Sequence, residues 1–235
     1  CRVLPFIEGQ LLSSVEAPTE ALLQDLGKNL GRLDLALQSF SHKALDRPIL
    51  WNSCDAEQTL ASFKPLLATQ SQRQLIEHFE AGFRGRVLAQ QTDLRRSVIH
   101  NDANDNNVLI DDQQRRVLSI IDFGDMLESW LVNEVAVAAA YAILDQSDPV
   151  AVASEILRGY QQAFALQPLE ISALFDLICI RLCMSVCICA YQRSLEPDNE
   201  YLAISEKPAW NMLGRLAEVD YAEAHERLRN ACLLD

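Results

Sequence analysis

The chain has 235 residues, 49% of them hydrophobic and 23% charged, a balance that excludes both a disordered chain and a membrane bundle. A chain of this length buries roughly 70% or more of its unfolded surface on folding, so its core needs no disulfide staples. Twenty Lys and Arg against thirty-three Asp and Glu leave a formal charge of -13, a field that repels a phosphate backbone and argues against nucleic acid as a partner.

The chain opens at Cys1 and runs into CRVLPFIEG with no charged-then-apolar targeting segment, as expected of a piece of a longer protein. Arg2 to Phe6 reads as a short strand, ended by a turn marked by Pro5 and Gly9. From Ala17 to Phe40, Leu22, Leu23, Leu26, Leu30, Leu33 and Leu37 recur at helical spacing and predict a long amphipathic helix, with Pro18 in its first turn. A loop with Pro48 and Trp51 follows, then helices from about Asp55 to Leu67 and from about Ser71 to Leu94. Between Ser97 and Asp122 the pattern changes to SVIH, NVLI and RVLSII, short strands judged unable to make a sheet of their own. The second and third form a hairpin around the DDQQ turn at Asp111 to Gln114. Helical periodicity then returns near Val132 to Leu144, Val150 to Ala165, Leu169 to Arg193, Tyr201 to Ala217 and Ala222 to Cys232.

Leu174 to Tyr191 is the nearest approach to a membrane span, but Asp176 and Arg181 interrupt it and leave too short an apolar run. It reads as a buried helix, and no membrane partner is expected. Its Cys179, Cys183, Cys187 and Cys189 have no Cys-x-x-Cys spacing and no neighbouring His, so they read as reduced core thiols of a cytoplasmic protein. With no repeat and no Gly-, Ser- or Pro-rich linker, residues 1–235 read as a single domain, mainly α with a small β hairpin region, an α+β fold.

Polar residues concentrate in IHNDANDNNVLI, where His100, Asp102, Asn104, Asp105, Asn106 and Asn107 fall within eight residues. Fifteen residues beyond Asn107, IIDFGDM places Asp122 and Asp125 on either side of Phe-Gly. Phosphoryl transfer explains both clusters: it needs divalent ions on hard oxygen ligands and a carboxylate to orient or deprotonate the attacking hydroxyl. A calcium loop of the EF-hand type fits Asp102, Asn104 and Asn106 but finds Asn107 at its glycine and Gln113 at its glutamate, and it lies between strands. A polar turn without chemistry accounts for the first cluster alone, not for the pair.

The H-x-D-x-x-x-x-N run of His100, Asp102 and Asn107, followed by D-F-G at Asp122 to Gly124, resembles the kinase-like phosphotransferases that include aminoglycoside phosphotransferases and choline kinases. Within that group HNDANDNNVLI, IIDFGDM and LVNEVAVAAAYAIL are most similar to hydroxylysine kinases and to kinase domains fused to class III aminotransferases. The resemblance implies that Asp102 accepts or orients the hydroxyl proton, with His100 beside it as a candidate catalytic residue that more readily braces the loop. It implies that Asn107 and Asp122 hold Mg2+ ions bridging the phosphates of ATP or GTP. Residues 97–125 would carry the catalytic and metal-binding loops, and residues 1–9 the hinge, with Leu4, Pro5 and Phe6 against the base.

Asp125, Glu128 and Glu134 would line a pocket for a substrate ammonium group, closed by Trp130 over the cation. The four lysines, Lys28, Lys43, Lys64 and Lys207, lie in no V-A-I-K-like strand, and Gly82 and Gly85 in EAGFRGRV fall in a helical pattern. The chain is therefore expected to be the helical C-terminal lobe of a protein-kinase-like fold, with the N-terminal lobe missing and an aminotransferase domain a conceivable fusion partner. Its expected activity is transfer of phosphate to a hydroxyl of a small amine or amino acid: hydroxylysine-like, an amino alcohol or aminoglycoside-like. The alternative is an inactive kinase-like binding or regulatory module. A protein kinase ranks last, because no A-P-E segment follows Asp122 and Asn104 stands where protein kinases carry Lys.

Overall fold

The computed structural model describes residues 5–197 and 206–233. Its first long helix, α1 (Glu20–Leu37), buries Leu22, Leu23, Leu26 and Leu30. It starts three residues later than the spacing suggests, because the Oγ1 of Thr19 accepts the Leu22 N–H at 3.2 Å and leaves Pro18 ahead of the cap. Helix α2 (Ala56–Phe63) ends in a single 3-10 turn, Lys64–Leu66, since Pro65 cannot donate to a continuing helix. Helix α3 (Gln70–Arg86) opens on a capping box between Thr69 and Gln72 and contains both Gly82 and Gly85. The rest of the expected third helix is 3-10, Leu88–Asp93.

Five short strands make two antiparallel ribbons. Strand β1 (Gln10–Leu11) pairs with β3 (Val108–Ile110), which pairs with β4 (Val117–Ile120); β2 (Arg96–Ile99) pairs with β5 (Leu127–Trp130). The hairpin is where the sequence puts it, with Gln114 of its turn at positive φ. Two expectations are revised. Among the described residues the first strand lies at Gln10–Leu11: of the expected strand Arg2–Phe6, Pro5 and Phe6 are outside any strand, and Leu4 and the residues before it lie outside the described residues. Pairing begins there because the backbone runs close to β3 at Gly9, where a Cβ would stand 2.8 Å from the Ile110 carbonyl oxygen. The short strands do form sheets, and β5 has too little apolar alternation in LESW to have been predicted.

The ribbons lie beside a helical body made of α4 (Asn133–Ala142), α5 (Pro149–Ala163), α6 (Pro168–Leu195), α7 (Glu206–Leu216) and α8 (Tyr221–Ala231). Helix α6 is apolar on every side and buried from Ile171 through Cys189 except at Ser172, as a central core helix must be. By length and hydropathy it could cross a membrane, yet 94% of its most apolar stretch is buried inside the protein. Its charges are paired: Asp176 accepts two hydrogen bonds from Arg86, at 2.9 and 2.6 Å.

The tightest helix pairing joins α1 to α5. A Cβ on Gly27 would fall 1.8 Å from the Ile156 carbonyl oxygen, and one on Gly159 would fall 1.9 Å from that of Gln24. Each glycine thus admits the other helix's backbone, which no side chain adjustment could relieve. Gly159→Ala is expected to lower stability by about 3 kcal/mol, at or above the usual cost of overpacking, whereas Gly85→Ala, with nothing within 4 Å of the added carbon, is expected to be neutral or stabilising. Denaturant midpoints of the two variants decide it.

Candidate active site

The loop after β2 departs from extended geometry at Asn101, whose φ is 65°, a left-handed value that Asn tolerates better than most residues. That reversal directs Asp102 outward while His100 and Asn101 stay buried. Asn107 immediately precedes β3 and Asp122 follows β4. Because Val108 pairs with Ile120, the hairpin brings both to its open end. The Ile121 N–H donates to the Asn107 carbonyl at 2.9 Å and closes that end.

Asp102, Asn107 and Asp122 line one cavity of about 990 Å3. The Asn107 Nδ2 donates to Asp102 Oδ2 at 2.7 Å and to the Asp102 carbonyl at 2.9 Å. Asn104 Nδ2 donates to Asp102 Oδ1 at 2.8 Å, so both carboxylate oxygens are held. Asp122 sits at φ 61°, ψ 69°, its Oδ1 accepting the Gly124 N–H at 3.2 Å. Arg47 donates to the Gly124 carbonyl and pins the same turn. With its amide nitrogen committed, Asn107 presents its Oδ1; with Oδ1 committed, Asp122 presents its Oδ2. Two hard oxygens on one wall are the donor set a divalent cation takes when phosphates and water fill the rest of its shell. Among the described residues no three His, Cys, Asp or Glu form a group that could hold a metal ion by itself.

His100, expected as a catalytic candidate that more readily braces the loop, turns inward. Its Nε2 lies 3.0 Å from the Ile121 carbonyl, its Nδ1 accepts the Asp102 N–H at 3.3 Å, and its ring meets Phe123 edge-on at 4.6 Å. That pattern requires the neutral ring with the proton on Nε2, and burial lowers its pKa in the same direction. It ties the Asp102 loop to the Asp122 loop without lining the cavity.

The expected ammonium pocket is only partly assembled. Asp125 lines the cavity. Glu128 points elsewhere, paired with Arg96 at 3.2 Å on β2, and Trp130 is buried against Phe83. Glu134 is fully buried beneath the loop, where its Oε2 accepts the N–H groups of both His100 and Asn101. Strand alternation in β5 and the first turn of α4 aim these three side chains away from the opening. Phe6 is 93% exposed and, like Pro5, forms no part of the cavity wall.

Residues the sequence did not single out complete the site. Trp51 and Tyr141 line the cavity, as do Asp145 and Glu16, alongside Asp105 of the polar cluster. On α6, Ser185, Cys189 and Gln192 present one helical stripe to it. One turn inward on that stripe is Arg181, fully buried, with Nη2 3.7 Å from Asp102 Oδ1. A charge within a largely apolar helix is the signal that the sequence carries for it.

Burial dominates the electrostatics. Desolvation raises the Asp102 pKa against the lowering effects of Asn104, Arg181 and Asn107. It pushes Glu134 up to about 7, opposed by the two backbone donors and Arg181. Asp34, which accepts the Tyr160 hydroxyl at 2.6 Å, is also raised by burial, and by the Glu134 charge.

A profile of the phosphotransferase enzyme family (APH) matches residues 1–171. The hydroxylysine kinase of Mus musculus is 30% identical over 237 residues, covering 96% of this chain and 62% of the mouse protein, so the chain spans under two thirds of that relative's length. A choline/ethanolamine kinase family protein from Mesorhizobium loti has a TM-score of 0.67 at 13% identity, over 97% of this chain and 70% of its own. Amicoumacin kinase hAmiN, solved with AMP-PNP, Ca2+ and Ami, has a TM-score of 0.57 at 17% identity, over 89% and 60%. At such identities the two structures show a shared fold.

Glu134 supplies a test of this loop's support. Its folded pKa stands above its unfolded value of 4.5, so its contribution to stability is complete below about pH 4.5 and is lost as pH rises through about 7. Glu134→Gln keeps an acceptor for the two N–H groups and removes the charge. The variant is expected to melt with a flatter pH dependence between about pH 5 and 8, with its advantage over the parent greatest at the alkaline end. Parallel thermal melts across that range give the answer.

Proposed function

We propose that this chain, which belongs to the phosphotransferase enzyme family, carries the catalytic loops of a kinase that moves the terminal phosphoryl group of ATP or GTP onto the hydroxyl of a small amine or amino acid. The observation that carries this reading is the anchored Asp102 carboxylate, hydrogen-bonded at 2.7 Å to Asn107 on a wall shared with Asp122. In it, Asp102 receives the acceptor hydroxyl's hydrogen bond and orients that hydroxyl's oxygen toward phosphorus. It takes the proton as the new O–P bond forms and the bond from the terminal phosphorus to the nucleoside diphosphate breaks, the diphosphate leaving. Asn107 and Asp122 would hold Mg2+, and the cation would supply neutralisation of the phosphate charge. His100 keeps the two loops in register, and Glu134 fixes the backbone on which Asp102 turns outward.

The charge of the cavity supports both halves of the proposal. Six carboxylates line it, Glu16, Asp102, Asp105, Asp122, Asp125 and Asp145, and among the described lining residues there is no Lys, Arg or His. A polyphosphate enters such a wall only in company with cations. An acceptor carrying an ammonium group is drawn in by the same field, with Asp125 and Asp145 its nearest carboxylate partners. The relatives favour the same class: one is named for hydroxylysine, and the structural neighbour hAmiN was solved with a nucleotide analogue and a divalent ion.

The test is a coupled assay on the full-length protein, with hydroxylysine and a panel of amino alcohols against ATP and GTP, with and without Mg2+. Phosphorylated product that depends on the metal is the expected result. Asp102→Asn, close to isosteric, is expected to lower kcat by about 10²- to 10⁴-fold with little effect on nucleotide KM. An Asp102→Asn enzyme of undiminished kcat would remove Asp102 from the reaction.

A further inference from the structure

Arg181 is among the largest fully buried side chains of the described residues, and it lies behind the carboxylate that the proposed reaction needs. Its Nη1 donates to the Trp51 carbonyl at 2.7 Å. Its guanidinium stacks 4.7 Å from the Trp51 ring and 5.7 Å from that of Tyr141. The two cavity-wall aromatics thus hold the cation by its faces, while Nη2 stands 3.7 Å from Asp102 Oδ1. Nε finds no partner among the described residues. A guanidinium is costly to bury with an unsatisfied N–H, and a structural role alone is met as well by an apolar side chain of similar volume.

We propose that Arg181 is a positioning residue for phosphoryl transfer: from the floor of the cavity it balances the charge of Asp102 and fixes the carboxylate rotamer that faces the acceptor hydroxyl. The proposal rests on the phosphotransfer reading above. Asp102 otherwise meets only amides, Asn104 and Asn107, and the carboxylates of Asp125 and Glu134 add to its charge. Arg181 is the cation that faces this group. The 3.7 Å separation exceeds a direct hydrogen bond, which leaves both carboxylate oxygens to Asn104, Asn107 and the substrate while the electrostatic pairing persists. Because the rings of Trp51 and Tyr141 also line the acceptor cavity, the same stack that holds Arg181 connects substrate occupancy to the placement of Asp102.

Two measurements on the full-length protein test it. Arg181→Met, similar in volume and neutral, is expected to lower kcat by about tenfold or more while nucleotide and acceptor KM change by no more than about twofold; Arg181→Lys, which keeps the charge, is expected to recover most of the loss. A folded Arg181→Met enzyme with parental kcat, or Arg181→Lys no better than Arg181→Met, overturns the proposal. The second is a stability cycle independent of turnover: the drop in melting temperature caused by Arg181→Met should shrink when Asp102 is already Asn. Equal drops in both backgrounds also overturn it. If the parent phosphorylates no acceptor, the functional reading falls, and the cycle still reports whether Arg181 answers to Asp102.

Discussion

The site depends on a buried carboxylate, that of Glu134, accepting two consecutive backbone N–H groups at the point where β2 ends. Those donors belong to His100 and Asn101, the latter held in a left-handed conformation. Without an acceptor there, two N–H groups would be buried unsatisfied, and the reversal that carries Asp102 from the interior to the cavity would lose its reason to form. The arrangement of the candidate site follows from that reversal. Asp102 reaches Asn107, Asn107 opens β3, and the β3–β4 pairing delivers Asp122 to the same wall. A helix residue, set in place by the packing of α4, thereby determines the geometry of a loop 34 residues away in sequence.

The charge behind the loop is arranged in depth. Tyr160 donates to Asp34, whose charge is felt by Glu134, which in turn shares the field of Arg181 with Asp102. One buried cation and several buried carboxylates make the interior beneath the loop electrostatically crowded, and protonation of the deepest acids relieves it. The outer carboxylates, Asp122 and Asp125, stand nearer water. Depth therefore separates acids that support the scaffold from acids that line the cavity.

The fold was legible wherever periodicity was local. Leucine spacing in α1 and the apolar run of α6 placed both helices, and the DDQQ turn placed the hairpin. What escaped was set by distant contacts. Strand β5 exists because LESW finds β2, thirty residues earlier, and the first strand lies at Gln10–Leu11 because Gly9 lets the backbone close on Ile110. Asp102, Asn107 and Asp122 were readable because their spacing is fixed by one hairpin. Glu128, Trp130 and Glu134 were misassigned to the cavity because proximity in sequence to Asp122 says nothing about which way a strand or a first helical turn aims its side chains.

Under the proposed reading, that contrast bears on where acceptor identity would reside. The segment from 102 to 125 supplies Asp102, Asn107, Asp122 and Asp125 to the cavity lining. The rest of the lining includes Trp51, Tyr141, Asp145 and the α6 stripe of Ser185, Cys189 and Gln192, contributed by elements far apart in the chain. No short motif can encode such a surface, because its members come from elements distant in sequence and meet only through packing. Arg181 joins the two groups: it lies on the α6 stripe, and its Nη2 stands 3.7 Å from Asp102 Oδ1. In the proposed reading, acceptor preference would vary outward from Ser185 along α6, while substitution at position 181 would reach Asp102.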